Sequence, residues 1–214
     1  MFFNLSEQNS VASQFIAELR DKNIQNDRSK FRNNLQRLGQ VMAYEISKKL
    51  AYHRKSVETP LGESTANVLA MQPILITVMR AGLPYFQGFL DFFDQSDCGF
   101  VGAHRVEGGT EIDIDLEYLA APSLDNRPVI LIDPMLATGK SFVRSVNALL
   151  KFGTPSHVFI ASLVAAPEGV KYISENLKLE HSIWTCALDE RLNDQFYIVP
   201  GLGDAGDLCF GQKI

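Results

Sequence analysis

Residues 129–141 read Val-Ile-Leu-Ile-Asp-Pro-Met-Leu-Ala-Thr-Gly-Lys-Ser, and no other stretch limits the fold of this chain so tightly. Val129 to Ile132 are apolar without alternation, which describes a strand buried on both faces, as in a parallel sheet. The strand ends in the carboxylate of Asp133 and leads through small residues into the amphipathic stretch 142–152. Strand, small-residue loop and helix start together make an anion site. The first helical N–H groups have no intrahelical partner, and the helix dipole adds partial positive charge there. Ala137, Thr138, Gly139 and Ser141 let the backbone approach a phosphate, and Thr138 and Ser141 add hydroxyl donors. Asp133, just past the strand, suits sugar hydroxyls or a metal-bound water. The segment is not a nucleoside-triphosphate P-loop, although Gly139-Lys140-Ser141 matches the end of that pattern. The first Gly of the pattern would fall at Pro134, which has no N–H and cannot adopt positive φ.

Around this segment the chain alternates strand, loop and helix. Strands are predicted at 73–79, 98–104, 128–133, 157–164 and 182–188, and helices at 84–94, 141–152 and 168–178. That rhythm predicts an α/β fold with a mainly parallel central sheet and flanking helices on both faces. Upstream, a helix is predicted over 11–20 and a long amphipathic one over 27–52, with Asp27 as its N-cap and apolar steps of three and four. Residues 54–70 predict a projecting hairpin arm around Thr59-Pro60-Leu61-Gly62. From Glu111 to Tyr118 acidic and apolar residues alternate, which fits a solvated strand face or flap better than a metal cluster. Ligands of such sheets sit beyond the carboxyl ends of the strands, so the chemistry belongs to loops 80–83, 105–110, 133–141 and the segment after 188.

A length of 214 residues suits a single domain, with 1–70 as N-terminal helices and arm and 71–214 as the core. Apolar residues make up 46% and charged ones 21%, and the net charge of -5 offers no broad basic surface for nucleic acid. The apolar runs are strand-sized and the start of the chain lacks a signal-peptide pattern, so neither a membrane span nor secretion is expected. Cys98, Cys186 and Cys209 form no C-x-x-C and read as reduced thiols of a cytoplasmic protein. His53, His104, His157 and His181 are scattered without zinc-ligand spacing.

Two more segments carry chemistry. Arg80-Ala81-Gly82 follows the strand Ile76 to Met79, and an Arg there offers a planar fork of donors to phosphate oxygens. Tyr197-Ile198-Val199-Pro200-Gly201-Leu202-Gly203-Asp204-Ala205-Gly206-Asp207 has three glycines in six residues, which predicts a shaped backbone that is neither helix nor strand. Amides and carbonyls in such a loop can read the alternating groups on a pyrimidine edge.

The Asp133-Pro134 pair with its Met-Leu-Ala-Thr-Gly sequel, the Arg-Ala-Gly loop and the 197–207 segment resemble uracil phosphoribosyltransferases of the type I phosphoribosyltransferase superfamily. The likeness extends to Leu19-Arg20-Asp21, Phe31-Arg32, Tyr44-Glu45, Thr59-Pro60-Leu61 and 163–169. It is weakest at 1–15 and 106–127. This chain departs from the family at Lys140, where Gly is usual, and at Val106-Glu107-Gly108-Gly109-Thr110, which belongs to the flap.

The resemblance implies the type I phosphoribosyltransferase fold and the reaction of uracil with phosphoribosyl diphosphate (PRPP) to give UMP and diphosphate, with Mg²⁺. It implies PRPP binding by Arg80, Arg105, Asp133, Pro134, Met135, Leu136, Ala137, Thr138, Gly139, Lys140, Ser141 and Asp204. Uracil would be read by Ile198, Gly203, Asp204 and Ala205, largely through backbone groups. Catalysis would rest on Arg80, Asp133 and Asp204, the two carboxylates also serving the metal through water. The side chain of Lys140 is expected to point away from the phosphate. A homo-oligomer, dimer or tetramer, is implied as well, and GTP as an effector is left open. Two rival readings stand beside this one: a phosphoribosyltransferase for another base, and a nucleotide-binding regulator on the same fold.

Overall fold

A computed structural model describes residues 1–106 and 113–212, with the side chains of 103–117 outside that description. The chain runs β1 (Phe2–Asn4), α1 (Val11–Arg20), α2 (Arg28–Ser47), β2 (Tyr52–Thr59), β3 (Gly62–Leu69), β4 (Ile74–Met79), α3 (Gly82–Phe92), β5 (Cys98–Val106) and β6 (Asp113–Ala120). It continues with β7 (Pro128–Ile132), β8 (Met135–Leu136), α4 (Lys140–Leu149), β9 (His157–Ala165), α5 (Pro167–Asn176), β10 (His181–Leu188), β11 (Arg191–Leu192), β12 (Ile198–Val199) and α6 (Ala205–Phe210). Among the described residues the main sheet has the order β1-β10-β9-β7-β4-β5-β6, with β8 beside β9. Its neighbours are parallel except for the antiparallel edge pair β5–β6.

The unbroken apolar runs are explained by burial on both sides. Ile74, Ile76, Leu131, Val158 and Ile160 pack with Phe142, Val146 and Ile173 of α4 and α5. Leu75, Ile130, Ile132 and Ala161 face the opposite way, into a cluster with Leu35, Leu38, Tyr85 and Phe89 of α2 and α3. The two long helices cross on glycine. A Cβ on Gly88 would lie 2.1 Å from the carbonyl oxygen of Gln36, and one on Gly39 would lie 2.2 Å from that of Tyr85.

The predicted elements are present, with instructive differences at their ends. Asp27 does cap α2, its Oδ1 accepting from Lys30 N at 3.0 Å. The helix stops at Ser47, however, not near Tyr52. Lys49 N donates to Ile46 O and Leu50 N to Ser47 O, a tight turn that still buries Leu50. The apolar period ran on because the turn keeps Leu50 on the core side. The hairpin begins at Tyr52, two residues before its predicted start, and is exposed along nearly its whole length. β1 was invisible in the sequence, since three residues carry no period; it adds to the sheet edge beside β10. The alternating stretch 111–118 overlaps β6, while 107–112 and the side chains of the acidic row lie outside the described residues.

The site is positioned by one feature of this topology. β4 and β7 are neighbours, with Thr77 opposite Ile132. From β4 the chain moves outward to β5, and from β7 it moves the other way to β9. The crevice at such a switch point is where open α/β sheets bind ligands. Gly82 sits directly over it, and a Cβ there would lie 2.3 Å from Thr77 Oγ1 and 3.2 Å from Ile132 O.

Candidate active site

Two loops rise from the switch point. The first leaves β4 at Arg80, joined to Met79 by a cis peptide bond. The predicted loop 80–83 is shorter than expected, because α3 already begins at Gly82. Arg80 turns its guanidinium toward the C-terminal segment. Its Nη2 lies 3.2 Å from Asp207 Oδ1 and its Nη1 donates to Gly211 O at 3.4 Å.

The second loop leaves β7 at Asp133 and is strapped to β9. Asp133 N donates to Ala161 O at 3.1 Å, and Pro134 O accepts from Leu163 N and Val164 N, each at 3.0 Å. Asp133 Oδ1 accepts from Met135 N at 3.1 Å, folding the loop back over the carboxylate. Leu136 is fully buried, and its carbonyl accepts from Ala166 N. Ala137, Thr138, Lys140 and Ser141 are half-buried at the rim. Gly139 precedes α4 at φ +75, and a Cβ on it would lie 2.7 Å from the carbonyl oxygen of Gly169 in α5. Glycine is needed there for both reasons. It brings no capping side chain, so the first-turn N–H groups of α4 depend on the loop and on what the loop binds. Thr138 Oγ1 reaches Lys140 N at 3.4 Å.

The third component is the C-terminal segment, and here one prediction fails. Residues 197–207 are not free of regular structure. Ile198 and Val199 pair with Leu192 and Arg191, and Ala205–Phe210 is helical. The glycines misled because they cluster before the helix: Gly201 and Gly203 have φ of +60 and +92 in the turn, while Gly206 lies within it. Asp204 is the helix cap, its Oδ1 accepting from Asp207 N at 3.0 Å. Ile198 and Ala205 are buried; Gly203 and Asp204 are exposed.

Arg80, Asp204 and α6 are thus brought together. A Cβ on Gly206 would lie 3.2 Å from Asp204 Oδ1, 3.7 Å from Arg80 Nη2 and 3.9 Å from the Cβ of Ala81. Arg105 lies on the β5 backbone, but its side chain is outside the described residues. Sequence reasoning missed Asp207, the ion partner of Arg80, and Arg32, whose Nη1 donates to Cys209 O at 2.7 Å and holds the end of α6. Neither has a local signal, since each acts across the chain. Cys209 lies near Arg80 and Asp204, and burial pushes its thiol up to about 12, so it stays protonated at neutral pH.

Among the described residues no group of three His, Cys, Asp or Glu could hold a metal. Mg²⁺ keeps several waters and is held by one or two carboxylates together with substrate phosphates. Asp133 and Asp204 are carboxylates of the right kind on this rim. A cavity of about 530 Å³ opens at the other end of the sheet, lined by Leu50, Met71, Phe159, Ser182 and Trp184 among others. It has none of the loop chemistry just described, so cavity volume does not mark the site.

A mainly parallel sheet with the small-residue loop after Asp133 at its switch point and the Arg80 loop beside it fits the phosphoribosyltransferase class. The chain belongs to the uracil phosphoribosyltransferase family, whose model matches residues 6–212. It is 44% identical over 99% of its length to a uracil phosphoribosyltransferase of Porphyromonas gingivalis, covering 98% of that protein. A Pyrococcus furiosus uracil phosphoribosyltransferase is 36% identical over 97% of this chain and 89% of its own. The solved structure of the AQ2163 protein from Aquifex aeolicus superposes with a TM-score of 0.88 at 33% identity, covering 99% of this chain and 98% of that one. The activity is phosphoribosyl transfer to uracil, and neither rival reading of the sequence matches these relatives.

Proposed function

We propose that the rim residues divide the reaction of uracil with PRPP among them as follows. The backbone of 137–141 and the start of α4 grip the 5′-phosphate, and Asp133 holds the ribose hydroxyls. Arg80, with Arg105 on the neighbouring strand, neutralises the diphosphate as it leaves. Departure of diphosphate gives the ribose oxocarbenium character, and N1 of uracil, losing its proton, attacks the opposite face with inversion to give UMP. Ile198, Gly203, Asp204 and Ala205 hold the base for that attack. Asp133 and Asp204 would hold Mg²⁺, which would supply further charge neutralisation for the leaving group. Positioning both substrates in line lowers the barrier by up to roughly 7–11 kcal/mol in ideal cases, and fixed charges lower it where charge develops. No side-chain nucleophile is required.

What supports this reading is the meeting of Arg80 with residues 204–207, which suits a guanidinium that binds diphosphate next to a segment that reads the base. The test is diphosphate release from PRPP with uracil, cytosine, orotate and hypoxanthine, with Mg²⁺ and with a chelator. Release with uracil alone, abolished by chelation, is expected; faster turnover of orotate or hypoxanthine overturns the assignment.

The same proposal treats 1–214 as a single domain and places it in the cytoplasm. Cys98, Cys186 and Cys209 are all free thiols, and no helix among the described residues is long and apolar enough to cross a membrane. It also includes a homo-oligomer held by the arm. A two-stranded hairpin alone is marginal in water, yet β2 and β3 project with Leu61 fully exposed at the tip.

A further inference from the structure

We infer that Arg20 and Asp189 are positioning residues that set the base-reading turn, and through it the affinity for uracil. Asp189 follows β10 and is only 8% exposed. Its Oδ2 accepts from Gly201 N at 2.8 Å and from Arg20 Nη1 at 3.0 Å, and its Oδ1 accepts from Arg20 Nη2. Arg20 Nη1 also donates to Gly201 O at 3.2 Å. The pair therefore takes both polar backbone groups of one residue. Gly201 has φ +60, and a Cβ there would lie 2.1 Å from Ile198 O, so the turn folds back on the strand that opens it.

Arg20 ends α1, which otherwise has no part in the site; its side chain reaches 181 residues along the sequence to a turn two residues from Gly203. Asp189 is anchored in turn, its N donating to Ala165 O at 2.8 Å beside the phosphate loop's own support. The clamp thus refers the 198–205 turn to the sheet that carries the phosphate loop. Charge-assisted bonds to the buried Asp189 carboxylate hold geometry tightly, although Arg20 keeps 22% of its side chain exposed.

This inference rests on the assignment of 198–205 to uracil, and the experiment separates the two. Removing Arg20 alone leaves the Asp189 carboxylate charged and buried, which destabilises, whereas replacing both with apolar side chains of similar size is often tolerated. The informative variants are therefore Arg20→Met/Asp189→Leu together and the milder Asp189→Asn, with Gly203→Ala as the direct probe of the turn. The expected result is a KM for uracil raised about tenfold or more in the double variant and less in Asp189→Asn, with the KM for PRPP and kcat within about twofold. Hydrogen exchange at 199–204 rises in both variants relative to that at 133–141, a local difference that a general loss of stability would not produce. Should the double variant fail to fold, the exchange and KM of Asp189→Asn decide alone. Unchanged uracil KM in the folded variants, while Gly203→Ala raises it, overturns the clamp and spares the base assignment. No response of uracil KM to Gly203→Ala overturns the base assignment itself.

Discussion

Residues 133–141 and 198–207 lie on the same rim, yet they are fastened by different means. The first segment is held by backbone bonds to one neighbouring strand: Asp133 N to Ala161 O, Pro134 O to Leu163 and Val164 N, and Leu136 O to Ala166 N. The second pairs its start by backbone bonds with residues 190–193 and is tied to the rest of the molecule by charged side chains, with Arg20 and Asp189 at Gly201, Arg80 at Asp207 and Arg32 at Cys209. If 133–141 grips phosphate as proposed, a grip built from sheet backbone comes with the fold and tolerates side-chain change. If 198–207 reads the base as proposed, a turn built on side-chain ties can be retuned by single substitutions far from it.

The largest effect is expected where the phosphate loop lacks any freedom. Gly139→Ala forces alanine to φ +75 and sets its Cβ 2.7 Å from Gly169 O. Holding a non-glycine residue there costs about 1–3 kcal/mol, to which the clash adds. Steady-state kinetics should show kcat/KM for PRPP reduced about thirtyfold or more, with the KM for uracil much less affected. Equal losses for both substrates would mean that the two segments are not held separately.

Next comes Arg80→Ala. Losing a charge-assisted contact costs about 1.5–3 kcal/mol, so kcat/KM for PRPP should fall roughly 10- to 150-fold. Arg80 also ties α6 through Asp207, and the comparison sharpens here: a rise of uracil KM beyond about threefold would place Arg80 in both supports. Wild-type use of PRPP by this variant would make Arg80 a surface charge.

Asp207→Asn is expected to act in the opposite direction. The Arg80–Asp207 pair has more than a third of each side chain exposed, so screening limits it to about 0–1 kcal/mol. Release of Arg80 should lower the KM for PRPP by up to about threefold with little change in melting temperature; a higher KM would show that Asp207 orients Arg80 for its work.

The smallest effect belongs to Lys140→Gly. If the backbone does the gripping, the KM for PRPP stays within about threefold, under about 1 kcal/mol. A tenfold rise that shrinks with added salt would put the ammonium on the substrate.

The same contrast explains what was legible in the sequence. The strand, loop and helix over 128–149 could be placed from the sequence because they are contiguous and each obeys a local rule. Arg80 could be read for the same reason, following directly on β4. Segment 197–207 stood out by its glycines but could not be folded from them, and the six-residue helix Ala205–Phe210 was missed. Its stability comes from the Asp204 cap and from Arg32, which is 177 residues away from Cys209. Asp189 gave no sign at all: a single carboxylate after a strand acquires meaning only when Arg20 and Gly201 arrive beside it. The end of α2 was misplaced for a related reason, since periodicity reports which side is buried and not where the helix stops.

The division between a phosphate grip fixed by the sheet and a base site fixed by distant side chains is tested most directly by ligand footprinting. Hydrogen exchange would be followed in the wild-type protein alone, with ribose 5-phosphate, and with UMP. Ribose 5-phosphate should slow exchange in 137–143 and leave 198–205 unchanged, whereas UMP should slow both. Protection of 198–205 by ribose 5-phosphate, or its absence with UMP while 137–143 is protected, would contradict the account.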